Sequence, residues 1–262
     1  MTTNQVFQSV KEHGWRRGLD NLLRAEFGNW WKTNSWWVQS LIWVGVINMI
    51  LANIVWGGDA DAPNAVGFYV LFAGLFPPIA IIIVLQDAIV GEKETGTAAW
   101  VLSKPVSRSA FILSKLIALG VSTIATMVLF PGIVAYIQMS LGAANWLAPL
   151  NFLGGLAVIS LYQLFYLTLT LMLGTLFNHR GPVIGIPLAL AFTQSMFVSL
   201  SPVLEKLLPW SLIAPLDENG VSIAEAIIHG TAIPQIAPII ATLVMVVIFV
   251  VISLWRFRQE EF

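Results

Sequence analysis

An all-α membrane protein is the fold class this sequence predicts, and three observations predict it. Of its 262 residues, 57% are hydrophobic and only 10% charged, against roughly 25% charged in an ordinary soluble domain. From Leu116 to Asn178, 63 consecutive residues contain no Asp, Glu, Lys or Arg, whereas about 20 apolar residues suffice to cross a bilayer. Runs such as Leu243 to Leu254 show none of the polar–apolar alternation that a transmembrane barrel strand needs. A water-soluble fold is excluded. Backbone groups in lipid must be satisfied within their own segment, so the spans are helices.

The elements come in order along a single transmembrane domain, residues 1–262. Residues 15–33 form an amphipathic helix: Trp15, Leu19, Leu22, Leu23 and Trp30 share one face, with Arg17, Asp20, Asn21 and Arg24 opposite. Such a helix is expected to lie flat in the membrane surface as an elbow before the first span. Glu26 intrudes on its apolar side; it is expected to sit at the membrane edge and reach water, the alternative being a partner cation elsewhere in the chain. Six spans are expected, over residues 36–56, 67–86, 110–137, 150–177, 182–200 and 236–255. Asn145, Ala148 and Pro149 supply the turn inside the uncharged stretch. Pro77-Pro78, Pro131 and Pro187 fall inside spans and are expected to kink rather than end them.

Twelve of the thirteen lysines and arginines fall in segments on one side of these spans, against Lys206 alone on the other. By the positive-inside rule both termini are cytoplasmic, and a site near Asp217 is external. The longest external loop, residues 201–235, contains a capping box at Ser222 and Glu225 and a stop at Gly230, predicting a short helix over residues 223–229. The apolar Trp210-Ser211-Leu212-Ile213 is expected to return into the headgroup region. The first thirty residues lack the features of a cleaved signal peptide, so the mature chain is expected to begin near Met1.

The chemistry open to such a chain is narrow. Net charge is −1, which argues against a nucleic-acid surface, and there is no cysteine for a disulfide, thiolate metal site or nucleophile. The three histidines are scattered, without ligand spacing. There is no G-x-S-x-G elbow and no S-x-x-K dyad. Gly91 to Thr97 mimics the glycine spacing of a phosphate loop, but Thr97 stands where lysine is needed. The spans hold no acid, and their one base, Lys115, is expected to snorkel to the cytoplasmic face. Asn48, Asn53, Gln138, Gln163, Thr193 and Gln194 are expected to knit helices together. Motion is therefore expected to come from outside the chain rather than from an ion gradient.

One segment stands out, residues 87–109, between the second and third spans. Gly96 precedes and Pro105 ends an expected short helix from Thr97 to Ser103, with Trp100 as its large apolar anchor, and Ser107 can cap the third span. From Asp87 to Lys115 the sequence resembles the signature of ABC type-2 permeases, the membrane subunits of ATP-driven exporters. Glu92, Gly96-Thr97, Ser103-x-Pro105-Val106-Ser107-Arg108 and Lys115 carry the resemblance, with Ser114-Lys115 where the family often has Gly-Lys. Beyond these thirty residues it extends to the layout of elbow helix, six spans and long last external loop.

The resemblance implies a multi-pass subunit of the plasma (inner) membrane that pairs with an identical or related permease, each on a cytoplasmic ABC ATPase subunit. ATP and Mg would bind that ATPase, and this chain would hold no cofactor and perform no catalysis. It also implies that residues 87–109 carry the coupling helix, with Glu92, Gly96, Thr97, Trp100, Pro105 and Arg108 as the docking and coupling residues. Glu92 is expected to accept hydrogen bonds or pair with a cation such as Arg108. The alternative is a non-transporting scaffold or assembly factor that uses the same loop to bind a partner.

Overall fold

The computed structural model describes residues 14–57, 64–142, 146–215 and 220–260. Lys11, Asn145 and Asp217, which bear on the expected topology, lie outside them. Helices account for nearly all of the described chain, without a strand among the described residues, and six are long and apolar enough to cross a membrane.

After a short turn at Gly14–Arg16 comes α1 (Leu19–Lys32), then α2 (Ser35–Trp56) as the first span. The second span is built of α3 (Ala65–Leu75) and α4 (Pro77–Gln86), broken at Phe76 because Pro77 and Pro78 have no N–H to continue the ladder. It then continues without a loop through a π-helical turn, Asp87–Gly91, into α5 (Glu92–Glu94). The helix thus carries its charged residues further than the expected end near Gln86. After α6 (Thr97–Leu102), the third span is α7 (Arg108–Ile124), a second π-helical turn at Ala125–Leu129, and α8 (Phe130–Gly142). Pro187, by contrast, is accommodated inside the unbroken α10 (Arg180–Leu200).

The long α9 (Pro149–Leu176) is the axis of the bundle, with Tyr162, Phe165 and Tyr166 fully buried. Around it pack α13 (Ala237–Arg258), α12 (Ile223–His229), α4 and α10. Polar side chains within the spans join helices: Asn48 donates to the Pro131 carbonyl at 3.2 Å, and Gln163 to Ala73 at 3.4 Å. Gln194 donates to the Tyr162 hydroxyl. Thr193 instead bonds its own helix at Ala189. Gly181 and Gly185 have open space where a Cβ would stand, so no helix among the described residues lies against them.

Two ends result. The end away from the termini is closed by α11 (Pro202–Leu207), a 3-10 turn at Pro209–Leu212, and α12. Here Ser211, Leu212 and Ile213 are buried, and Ile213 packs on Gly74, where a Cβ would lie 2.5 Å from it. The apolar stretch expected in the headgroups is therefore part of the protein core; Gly74 leaves a notch that it fills. Ser222 accepts from the Glu225 N–H at 3.2 Å, and Gly230 ends α12 at φ 69°, with Thr231 N–H bonding Ala226. The other end collects the charged residues.

Candidate functional site

The charged end is organised around one ammonium. Lys115 lies in the second turn of α7, and its side chain is 1% exposed. Its Nζ donates to Glu92 Oε1 at 2.6 Å and to Glu26 Oε1 at 2.9 Å. The lysine therefore does not snorkel, and Glu26, still partly exposed, has the partner cation that was the alternative. Sequence placed Glu26 on the apolar side of its helix and Lys115 inside the third span, and in the fold each answers the other. An acid on an apolar face and a lone base inside a span were the available signal. Their separation of 89 residues hid it.

Glu92 finds its cation in Lys115 rather than in Arg108. The reason lies in the π-helical turn. An extra residue at Asp87–Gly91 rotates the remainder of the helix, burying Ile89 and Val90 and swinging Glu92 towards α7. A Cβ at Gly91 would stand 2.6 Å from Asp87 Oδ1 and displace that carboxylate, which meets Arg180. Arg108 Nη1 instead donates to the Arg258 carbonyl at 2.7 Å, holding the end of α13.

The rest of α5 ties the other helices to the same point. Glu94 and Asp87 meet Arg180, at the start of α10, at 3.0 and 3.3 Å. Lys93 pairs with Glu260 beyond α13 at 2.6 Å and bonds Asn178 at 3.4 Å. Arg258 Nε donates to Ser109 Oγ at 3.0 Å, and Phe257 stacks on Phe111 with centroids 5.3 Å apart. Among the described residues, every ion pair of the molecule lies in this cluster. Asp87, Lys93, Glu94, Arg180, Arg258 and Glu260 belong to it without having been singled out as site residues from sequence.

From this base a short arm projects. Gly96, at φ 73°, reverses the chain into α6, a conformation that glycine adopts without strain. The Thr95 and Thr97 hydroxyls share a hydrogen bond of 2.9 Å across the bend. Ala98 is buried against the cluster of Trp30, Ile89, Phe111 and Phe257, while Trp100 points away and is 63% exposed. Lys104 Nζ sits 3.4 Å from the centre of the Trp100 ring, stiffening the arm by a cation–π contact. Pro105, exposed, ends the arm, and the chain returns along the segment before α1. There Ser107 N–H bonds the Arg17 carbonyl at 2.9 Å, its hydroxyl donates to Trp15, and the same oxygen caps α7 by accepting from Ala110 at 3.0 Å. Gly18 (φ 82°) leaves room for Val106, whose Cγ2 would be 2.8 Å from a Cβ.

The family model described as ABC-2 family transporter protein matches residues 9–262. The chain belongs to the ABC-2 transporter family. No individual characterised protein matches it significantly. Family membership makes this ABC-2 protein a membrane-spanning permease-type subunit, of a class whose members lack an ATPase site of their own and associate generally with ABC ATPase subunits. The match extends through both halves of the Lys115 cluster, from α1 to Glu260.

Proposed function

We propose that this ABC-2 protein is the permease subunit of an ABC exporter in the plasma (inner) membrane. It pairs with a second, identical or related permease on two cytoplasmic ATPase subunits and exports a substrate not yet identified. The charged end is cytoplasmic in this reading, in keeping with the distribution of twelve of thirteen lysines and arginines.

One observation carries the proposal: an exposed aromatic arm is rigidly joined to a charge cluster that touches most of the spans. Trp100 on α6 is the docking anchor, of the type that dominates protein interfaces. Thr97 and Gly96 shape the bend behind it, and Pro105 and Arg108 fix its return. Glu92 sits at the root, where a push on α6 meets the Lys115 ammonium and, through it, α1 and α7. The same push reaches α10 through Glu94 and Arg180, and α13 through Lys93 and Glu260. A floppy loop would absorb ATP-driven movement; this one is pinned at both ends. ATP and Mg bind the partner ATPase.

The test is co-purification and vesicle transport with the cognate ATPase. Trp100→Ala and Glu92→Ala are expected to leave the subunit inserted and paired while weakening ATPase retention or separating hydrolysis from transport. Normal retention and normal transport in both variants would show that α6 is not the docking element.

A further inference from the structure

At the opposite end, between the end of α10, α11, the 3-10 turn and the start of α12, lies a cavity of about 630 Å³. That volume falls within the range of small-molecule sites, roughly 300–1,000 Å³. Its wall includes Ser195, Ser201, Glu205, Trp210, Ser211 and Gln235. We propose that this cavity is a binding site for an amine-bearing organic cation.

Glu205 is the reason for the charge. It is the one charged residue in the wall, half-buried, and among the described residues no Lys, Arg or His forms an ion pair with it. A carboxylate withdrawn from water without a counter-ion is costly, and a bound cation removes that cost. Gln235 sharpens the choice. Its amide nitrogen donates to Glu205 Oε1. The carboxylate can only accept, so the orientation of the amide is set, and the buried Gln235 Oε1 is left with no donor in the protein. The buried Ser211 hydroxyl in the same wall is also without a partner. Two acceptor-capable groups and an uncompensated carboxylate ask for a ligand rich in N–H donors.

Trp210 adds an aromatic wall, suited to an ammonium. The long-range field agrees. Among the described residues of the connections at this end, Glu205 and Glu225 stand against Lys206 alone, a balance that favours cations at the mouth of a cleft. An anion is repelled by Glu205, and a neutral polyol leaves its charge unmatched. A hard divalent ion takes about 6–8 oxygens, commonly from several carboxylates. Among the described residues, no group of three or more His, Asp or Glu could hold a metal.

The experiment is calorimetric titration of the full-length protein in lipid nanodiscs with benzylammonium, using benzyl alcohol as the neutral isostere, calcium chloride as the inorganic cation, and empty nanodiscs as the blank. Benzylammonium is expected to bind at least 10-fold more tightly than the alcohol. Glu205→Gln should weaken it by at least 10-fold. Glu225→Gln, which removes an acid of the same end that lies against Gly67 outside the cavity wall, should leave affinity within 2-fold. Thermal unfolding of each variant checks that the fold is retained, and Ser211→Ala provides a second, milder wall variant expected to lose affinity. Equal affinity for amine and alcohol overturns the proposal. So do unchanged affinity in folded Glu205→Gln, no binding by benzylammonium, or calcium binding that excludes the amine.

Discussion

The two ends of this bundle are held together by different forces. At the charged end the helices meet through charge: one ammonium between two carboxylates, two further ion-paired branches, and hydrogen bonds from arginine and serine to backbone. At the opposite end they meet through close packing against small residues. Ile228 approaches Gly155 so nearly that a Cβ there would stand 2.3 Å from its Cγ1, and Ile213 fills the notch at Gly74. Close packing has one good arrangement, and departures from it cost steeply. Ion pairs of long side chains can exchange partners while remaining satisfied. In the function proposed above, the end that receives movement from a partner has the rearrangeable contacts, and the end away from it has the fixed ones.

The largest expected effect breaks the charged end at its centre. Lys115→Met leaves Glu26 and Glu92 facing each other without a cation, and breaking a buried pair in this way costs about 3–5 kcal/mol. Thermal unfolding in detergent measures it, with Lys115→Arg expected to recover part of the loss. Replacing all three charges, as Glu26→Leu, Lys115→Met and Glu92→Leu together, is expected to restore most of the stability, because apolar substitutes for buried ion pairs are often neutral. It should not restore coupling of hydrolysis to transport. Recovery of both would reduce the cluster to a structural fastener.

Trp100→Ala comes next and is expected to act mainly on the proposed partner contact. The side chain is 63% exposed, so stability should hardly change, while ATPase affinity is expected to fall by about 2 kcal/mol, the scale of an interface hot spot. Binding of the purified ATPase to nanodisc-held subunit gives the figure. Gly155→Ala attacks the other end. Forcing a methyl group against Ile228 is expected to cost roughly 1–3 kcal/mol by overpacking, seen as a lower unfolding temperature with ATPase affinity unchanged. If Gly155→Ala weakened the ATPase as much as Trp100→Ala, the ends would be coupled rather than separate. The smallest effect is Ser222→Ala, which removes the cap of α12 at about 1 kcal/mol, again read from thermal unfolding.

How much of the site the sequence revealed depended on the range of the interaction. Gly96, Ser107, Ser222 and Gly230 were legible because caps and left-handed turns are decided by the residue itself and neighbours within one turn. Trp100 was legible as an apolar residue amid charge. The partner of Glu92 was not, since Arg108 and Lys115 both lay within plausible reach and the π-helical turn that selects Lys115 has no signature in composition. Glu260 and Arg258 follow the sixth span in sequence, and became part of the site only when α13 brought them beside Lys93 and Ser109.

Sequence alone determined that this is a helical membrane protein and where its spans and most of its local turns fall, because hydrophobic length and capping are local quantities. It also marked Glu26 as a charge on an apolar face and Lys115 as the one base within a span. Only the tertiary structure decided that they answer each other, that Trp210 to Ile213 packs inward, and that Glu205 lines a cavity with no counter-ion among the described residues. A charge in an apolar setting must find a partner, but sequence states the need and not the address. The folded backbone supplies the address by bringing α1, α5 and α7 to a single point.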